Sequence, residues 1–188
     1  MENYNEFNAL DEGVELGGLR NKDEIKILVC YILKNVEGCL TREQIGNIMQ
    51  DRGIANYFEV MDAVSELLQI GNVSAELAGE NEYLILTDSG KEAVGLVEKN
   101  LPKTIREDAI KAAVHLVTVE RNMKENDVDI KPADGGFTLS FTMKNNDSVL
   151  MELSVFVADR ELAERIKENF YEDPARVYSG IIASLMIE

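Results

Sequence analysis

The stretch from Thr41 to Leu86 constrains the chain most, because it places two short helices, a tight turn and a two-stranded ribbon in that order. Leu40-Thr41-Arg42-Glu43-Gln44-Ile45 is a helix start: Thr41 at the N-cap and Gln44 three residues on make a capping box, with Leu40 and Ile45 spaced as a hydrophobic staple. This helix is predicted to run to about Arg52 and to stop at Gly53, where a left-handed backbone costs little. Asn56-Tyr57-Phe58-Glu59 repeats the capping logic and opens a second helix, with Val60, Met61, Val64, Leu67 and Leu68 on one face. Gly71-Asn72 ends it. Val73 to Leu77 and Glu82 to Leu86 then read as strands around an Ala78-Gly79-Glu80-Asn81 turn.

A further helix, Lys22 to Val36, precedes the pair and carries Ile25, Leu28, Val29, Ile32 and Leu33 as one stripe. Another follows the ribbon up to about Lys99, with Ala93, Val94 and Val97 facing inward. Residues 20–100 are therefore expected to form a winged helix-turn-helix domain, preceded by an acidic arm over 1–19 from which Phe7, Leu10 and Leu16 could dock on a neighbour. Leu101-Pro102-Lys103-Thr104 breaks the pattern, and Thr104 with Glu107 offers a capping box for a linker or dimerisation helix over 101–125. Ile105, Ala109, Ala112, Leu116, Val119 and Met123 on one side, and Ile110, Ala113 and Val117 on another, make its apolar stripe wide. A domain core or the same helix of a second subunit should cover it.

Residues 126–188 read as a separate α+β unit. Val128 and Ile130, then Phe137 to Met143, then Val149, Met151, Leu153, Val155 and Val157 alternate as three strands, turned at Asp134-Gly135-Gly136 and Asn145-Asn146-Asp147. Asp159 caps a helix to about Phe170, and Asp173-Pro174 starts a last one whose inner side is Val177, Tyr178, Ile181, Ile182 and Leu185. The expected fold class is thus α+β: an N-terminal winged helix-turn-helix, a long linker helix, and a C-terminal three-stranded antiparallel sheet with two helices.

A formal charge of −16 limits the partners. It divides as −5, −6 and −5 over residues 1–19, 20–99 and 100–188, so no basic domain hides behind an acidic tail. That counts against strong nonspecific binding to nucleic acid or anionic membranes. No apolar run approaches the roughly 18–20 residues that span a bilayer, and Met1 to Gly18 lacks the regions of a signal peptide. A cytoplasmic protein with no membrane partner is expected. Cys30 and Cys39 are read as structural thiols, and one histidine gives no zinc spacing, so no metal or cofactor is expected.

Nor does the chain read as an enzyme. It has no dinucleotide fingerprint, phosphate loop or nucleophile elbow. His115 sits in an apolar run as a packed or edge residue, Glu152 reads as a solvent-facing strand residue and Asp159 as a cap; the Asn72-Val73-Ser74 and Asn146-Asp147-Ser148 sequons are chance matches. In a DNA-reading winged module the second helix of the pair enters the major groove. Lys22, Lys26, Arg42 and Arg52 are candidate phosphate contacts, and Asn56 and Tyr57 stand where base edges are read, although Asn56 is also the helix cap. The outward face of that helix nevertheless carries Glu59, Asp62 and Glu66, and the ribbon adds Glu76, Glu80 and Glu82. Such a face repels phosphate and suits a basic protein partner.

Leu19-Arg20-Asn21-Lys22-Asp23-Glu24-Ile25-Lys26-Ile27-Leu28, Leu40-Thr41-Arg42-Glu43-Gln44, Asn56-Tyr57-Phe58 and Tyr178-Ser179-Gly180-Ile181-Ile182 resemble a family of uncharacterised bacterial proteins catalogued as a domain of unknown function. The resemblance implies a winged-helix N-terminal half and a cytoplasmic bacterial protein, with no established activity. Leu86-Thr87-x-x-Gly90 at the end of the ribbon resembles winged-helix transcriptional regulators of the PadR and MarR kinds. That likeness implies a dimeric DNA-binding regulator, a homodimer on double-stranded DNA held by a helix such as Thr104 to Asn122. The alternative is a winged-helix module that binds a protein and not DNA.

Overall fold

The computed structural model describes residues 14–186 except Leu16 and residues 146–147. The expected arm over residues 1–13, any docking by Phe7, Leu10 or Leu16, and Asn146 and Asp147 of the second turn and its sequon lie outside the described residues. The chain divides into two compact units between Val117 and Thr118.

In the first unit, α1 (Lys22–Asn35) starts at Asn21, whose side chain accepts a hydrogen bond from the Asp23 amide. A two-residue strand β1 (Leu40–Thr41) leads into α2 (Arg42–Asp51), where both halves of the Thr41–Gln44 capping box are formed. Gly53 takes φ 61°, a left-handed turn that ends α2 before α3 (Tyr57–Gln69) begins. Strands β2 (Val73–Ala78) and β3 (Asn81–Leu86) form a hairpin, followed by α4 (Asp88–Val97), a 3-10 turn at Glu98–Asn100, and α5 (Lys103–Glu125). The antiparallel sheet has the order β1-β3-β2, with Leu40 opposite Leu84 and Val73 opposite Leu86. Ile25, Leu28 and Ile32 of α1, Ile45 and Met49 of α2, and Val60 and Val64 of α3 close one core. Ala109, Ala112 and Ala113 of α5 belong to it, with Ile105, Ile110 and Leu116 packed alongside. The unit's own core therefore covers that length of the wide stripe. Thr104 is not the cap expected from its spacing: α5 starts at Lys103, directly after Pro102, so Thr104 lies inside the first turn.

The second unit holds the end of α5, strands β4 (Asp127–Ala133), β5 (Gly136–Asn145) and β6 (Ser148–Val157), and helices α6 (Arg160–Glu172) and α7 (Pro174–Leu185). The sheet is antiparallel in the order β4-β5-β6. Its core joins Leu139, Phe141 and Val157 to Ala163, Phe170 and Tyr171 of α6. The period of two fails at one place. The pairing register shifts between Met143 and Lys144, which leaves Leu150 without an opposite residue and Val149 exposed, not inward as its alternation predicts. Asp159 and Asp173 cap α6 and α7 as expected. The described residues are thus α+β, with seven α-helices and two three-stranded antiparallel sheets. Among them no helix is long and apolar enough to cross a membrane.

Candidate functional site

Helix α3 buries Val60, Ala63, Val64 and Leu67 and turns the ridge Phe58, Asp62, Glu66 outward at i, i+4, i+8. Across the near side of that ridge runs α1. Lys22 Nζ donates to the Asp62 carboxylate and, at 3.1 Å, to Glu66. Lys26 Nζ lies 3.1 Å from the second Glu66 oxygen and 2.8 Å from Asp23. The hydrogen bonds from Lys26 and Lys22 hold the Glu66 carboxyl below its ordinary range, and those to Asp62 and Glu66 raise the Lys22 ammonium. Lys26 is raised by Asp23 first and Glu66 second. Two of the candidate phosphate contacts and two of the candidate acids are thus one ion-pair cluster between α1 and α3.

The other candidates are also engaged. Arg42 reaches from the start of α2 to donate through Nη2 to Ser65 Oγ at 2.6 Å, and that hydroxyl donates to the Met61 carbonyl at 2.8 Å. Arg52 stands 3.7 Å from the Asp108 carboxylate on α5. Asn56 is buried and caps α3, accepting from the Phe58 amide at 2.9 Å. Tyr57 is half-buried, with its ring edge-on to Phe58 at 5.7 Å between centroids and its other side against Gly46. Glu59 is half-buried beside them.

Sequence reading missed Phe58, which is 74% exposed at the start of α3. Its signal was available: two residues before Val60 is about 200° around a helix from the buried stripe.

Elsewhere in this unit the chemistry is sparse. Burial pushes the Cys30 thiol up to about 11, so it stays protonated near neutrality, whereas Cys39 is exposed. Cys30, Ile27, Leu67, Ile70, Val94 and Val97 line an open hollow of about 200 Å³. That is smaller than the roughly 300–1,000 Å³ of small-molecule sites. His115 is exposed on α5. Among the described residues no group of His, Cys, Asp and Glu is placed to hold a metal ion.

The family model described as "Domain of unknown function (DUF4364)" matches residues 25–185. Neither a curated protein nor a solved structure matches the chain.

Proposed function

This chain belongs to the family of the domain of unknown function DUF4364, and from that premise we propose that its N-terminal unit is a winged helix-turn-helix that binds a protein partner and not DNA. The order helix, strand, helix, helix, hairpin and the sheet order β1-β3-β2 support the winged reading. One observation carries the choice of partner. From Gly53 to Gly90, the span of α3 and the hairpin, there are seven acids and no Lys or Arg. Two strands of phosphate carry one charge per about 1.7 Å of duplex, and cationic side chains must meet them. Lys22, Lys26, Arg42 and Arg52 are held by Asp62, Glu66, Ser65 and Asp108 instead. What α3 offers is an exposed ring, Phe58, beside Glu59 and Asp62. An apolar pocket rimmed by Lys or Arg is the complement of such a ridge.

The test has two arms. Duplex DNA from the gene's own promoter, titrated at low salt and again as salt rises, should give no complex. A specific complex with a negative salt slope, weakened by Arg42→Ala, would overturn the reading. A photo-reactive residue in place of Phe58 should cross-link a single partner, and Phe58→Ala should weaken the purified pair by about thirtyfold, the size of an interface hot spot of about 2 kcal/mol. The order of elements alone also supports a second reading: a dimeric, cytoplasmic transcriptional regulator with Arg42, Asn56 and Tyr57 toward DNA. It ranks below the first because it needs the α1–α3 cluster and the Arg42–Ser65 bond to open.

A further inference from the structure

We infer that the free edge of β6, with the groove beneath it, takes up an extended segment of a partner protein as a further strand of the second unit's sheet. The order β4-β5-β6 leaves β6 at the margin, paired with β5 alone. Every second residue of such a strand directs its N–H and C=O away from the sheet, a row that another extended backbone matches group for group. The free edges among the described residues differ. β1 is two residues long, and β2 six with Glu76 among them. β4 carries Asp127, Asp129, Lys131 and Pro132 in seven residues, the charges and proline that keep an edge from pairing further. β6 has ten residues, no proline and one charge, Glu152. Its irregularity at Leu150 lies near the start and leaves the pairing with β5 unbroken from Met151 to Val157.

Side chains set what the added strand must carry. Leu153 and Val155 lie opposite Phe141 and Leu139 and so share the inward face. Leu139 and Phe141 are buried, whereas Leu153 and Val155 are only half-buried. Leu153, Val155, Ile166, Phe170 and Val177 line an open apolar groove of about 200 Å³. A strand laid along β6 turns alternate side chains into that groove, so an apolar residue is wanted at every second position. Arg176 is on this inward side, where the apolar positions enter. The outward face of β6 presents Glu152, Ser154 and Phe156, the last 56% exposed. Glu152 and the chain's −16 favour Lys or Arg at the intervening positions and oppose the identical edge of a second copy. The occupant is therefore an extended segment in which apolar and basic residues alternate. The inference stands on the second unit and is independent of how α3 is used.

The probe is a labelled peptide with the sequence of Phe137 to Lys144 and two added lysines, titrated onto the full chain by fluorescence anisotropy. It alternates as required, and β6 already pairs with that sequence on its other side. A Kd of about 10–100 µM is expected, and no binding up to about 1 mM overturns the inference. Two forms N-methylated at alternate residues separate backbone pairing from adhesion. Methyl groups on the edge that meets β6 should weaken binding by about tenfold or more, and those on the opposite edge should not. The same response to both forms overturns it. With peptide bound, hydrogen exchange should slow at alternate amides between Met151 and Val157. Protection already present without peptide, and rising with protein concentration, would mean that two β6 edges pair with each other, which also overturns it. Phe156→Lys, an exposed outward change, should weaken the peptide about fivefold, while Leu77→Lys on the exposed edge of β2 should leave its binding unchanged. The reverse would put the peptide on the first unit's hairpin and overturn the inference.

Discussion

Gly46 is the residue on which the α2–α3 crossing turns. A Cβ placed there would lie 2.6 Å from both the Met61 Cε and the Tyr57 ring. The absent side chain thus lets one edge of the Tyr57 ring approach α2 closely. Two effects oppose each other in Gly46→Ala. Helix propensity gains about 1 kcal/mol, and overpacking costs about 1–3 kcal/mol. The Met61 methyl can swing away, but the Tyr57 ring is the less movable neighbour. The expected result is a lower Tm and, because Tyr57 must shift, weaker binding of whatever Phe58 contacts. A raised Tm in a thermal melt would show that both neighbours yield freely.

Among elements, α1 and α3 are joined by apolar packing and by the Lys22, Lys26, Asp23, Asp62, Glu66 cluster. Its pH dependence has a definite sign. Glu66 is lowered in the fold, so its contribution is present above the unfolded carboxyl value of about 4.3 and is lost as pH falls through the folded value. Lys22 and Lys26 are raised, so theirs is present below about 10.4 and is lost as pH rises through their folded values. Glu66→Gln should therefore melt below the wild type from about pH 5 to 9, and the two curves should converge on acidification past about pH 4. A gap that persists in acid would assign Glu66 a role other than ion pairing. This cluster also marks the limit of sequence reading. The Thr41–Gln44 box and the Asn56 cap were legible because their bonds close within two or three residues. Lys22 and Glu66 are 44 residues apart, and nothing local says how α1 crosses α3. The same holds for β1, whose two residues are too short to alternate and whose pairing partner, Leu84, lies across the whole helix pair. The helices and longer strands were read from their periods; the short strand, the register shift and the partners of each charge depend on tertiary packing.

For the molecule as a whole, the −16 charge and the local ion pairs pull salt dependence in opposite directions. Added salt weakens attraction in pairs such as Lys26–Glu66 and weakens the mutual repulsion of the excess acids. Separation decides which wins. The pairs lie at about 3 Å, inside the roughly 10 Å Debye length at 0.1 M, so they are screened little. The repulsion acts over longer distances, because the excess is spread along the sequence as −5, −6 and −5, and it is screened far more. Exposed pairs also contribute little to begin with. Tm should accordingly rise between about 10 and 300 mM sodium chloride, over the range where the Debye length contracts from about 30 Å to below 8 Å. A Tm that falls with salt would mean that the ion pairs, and not the net charge, govern the stability of this chain.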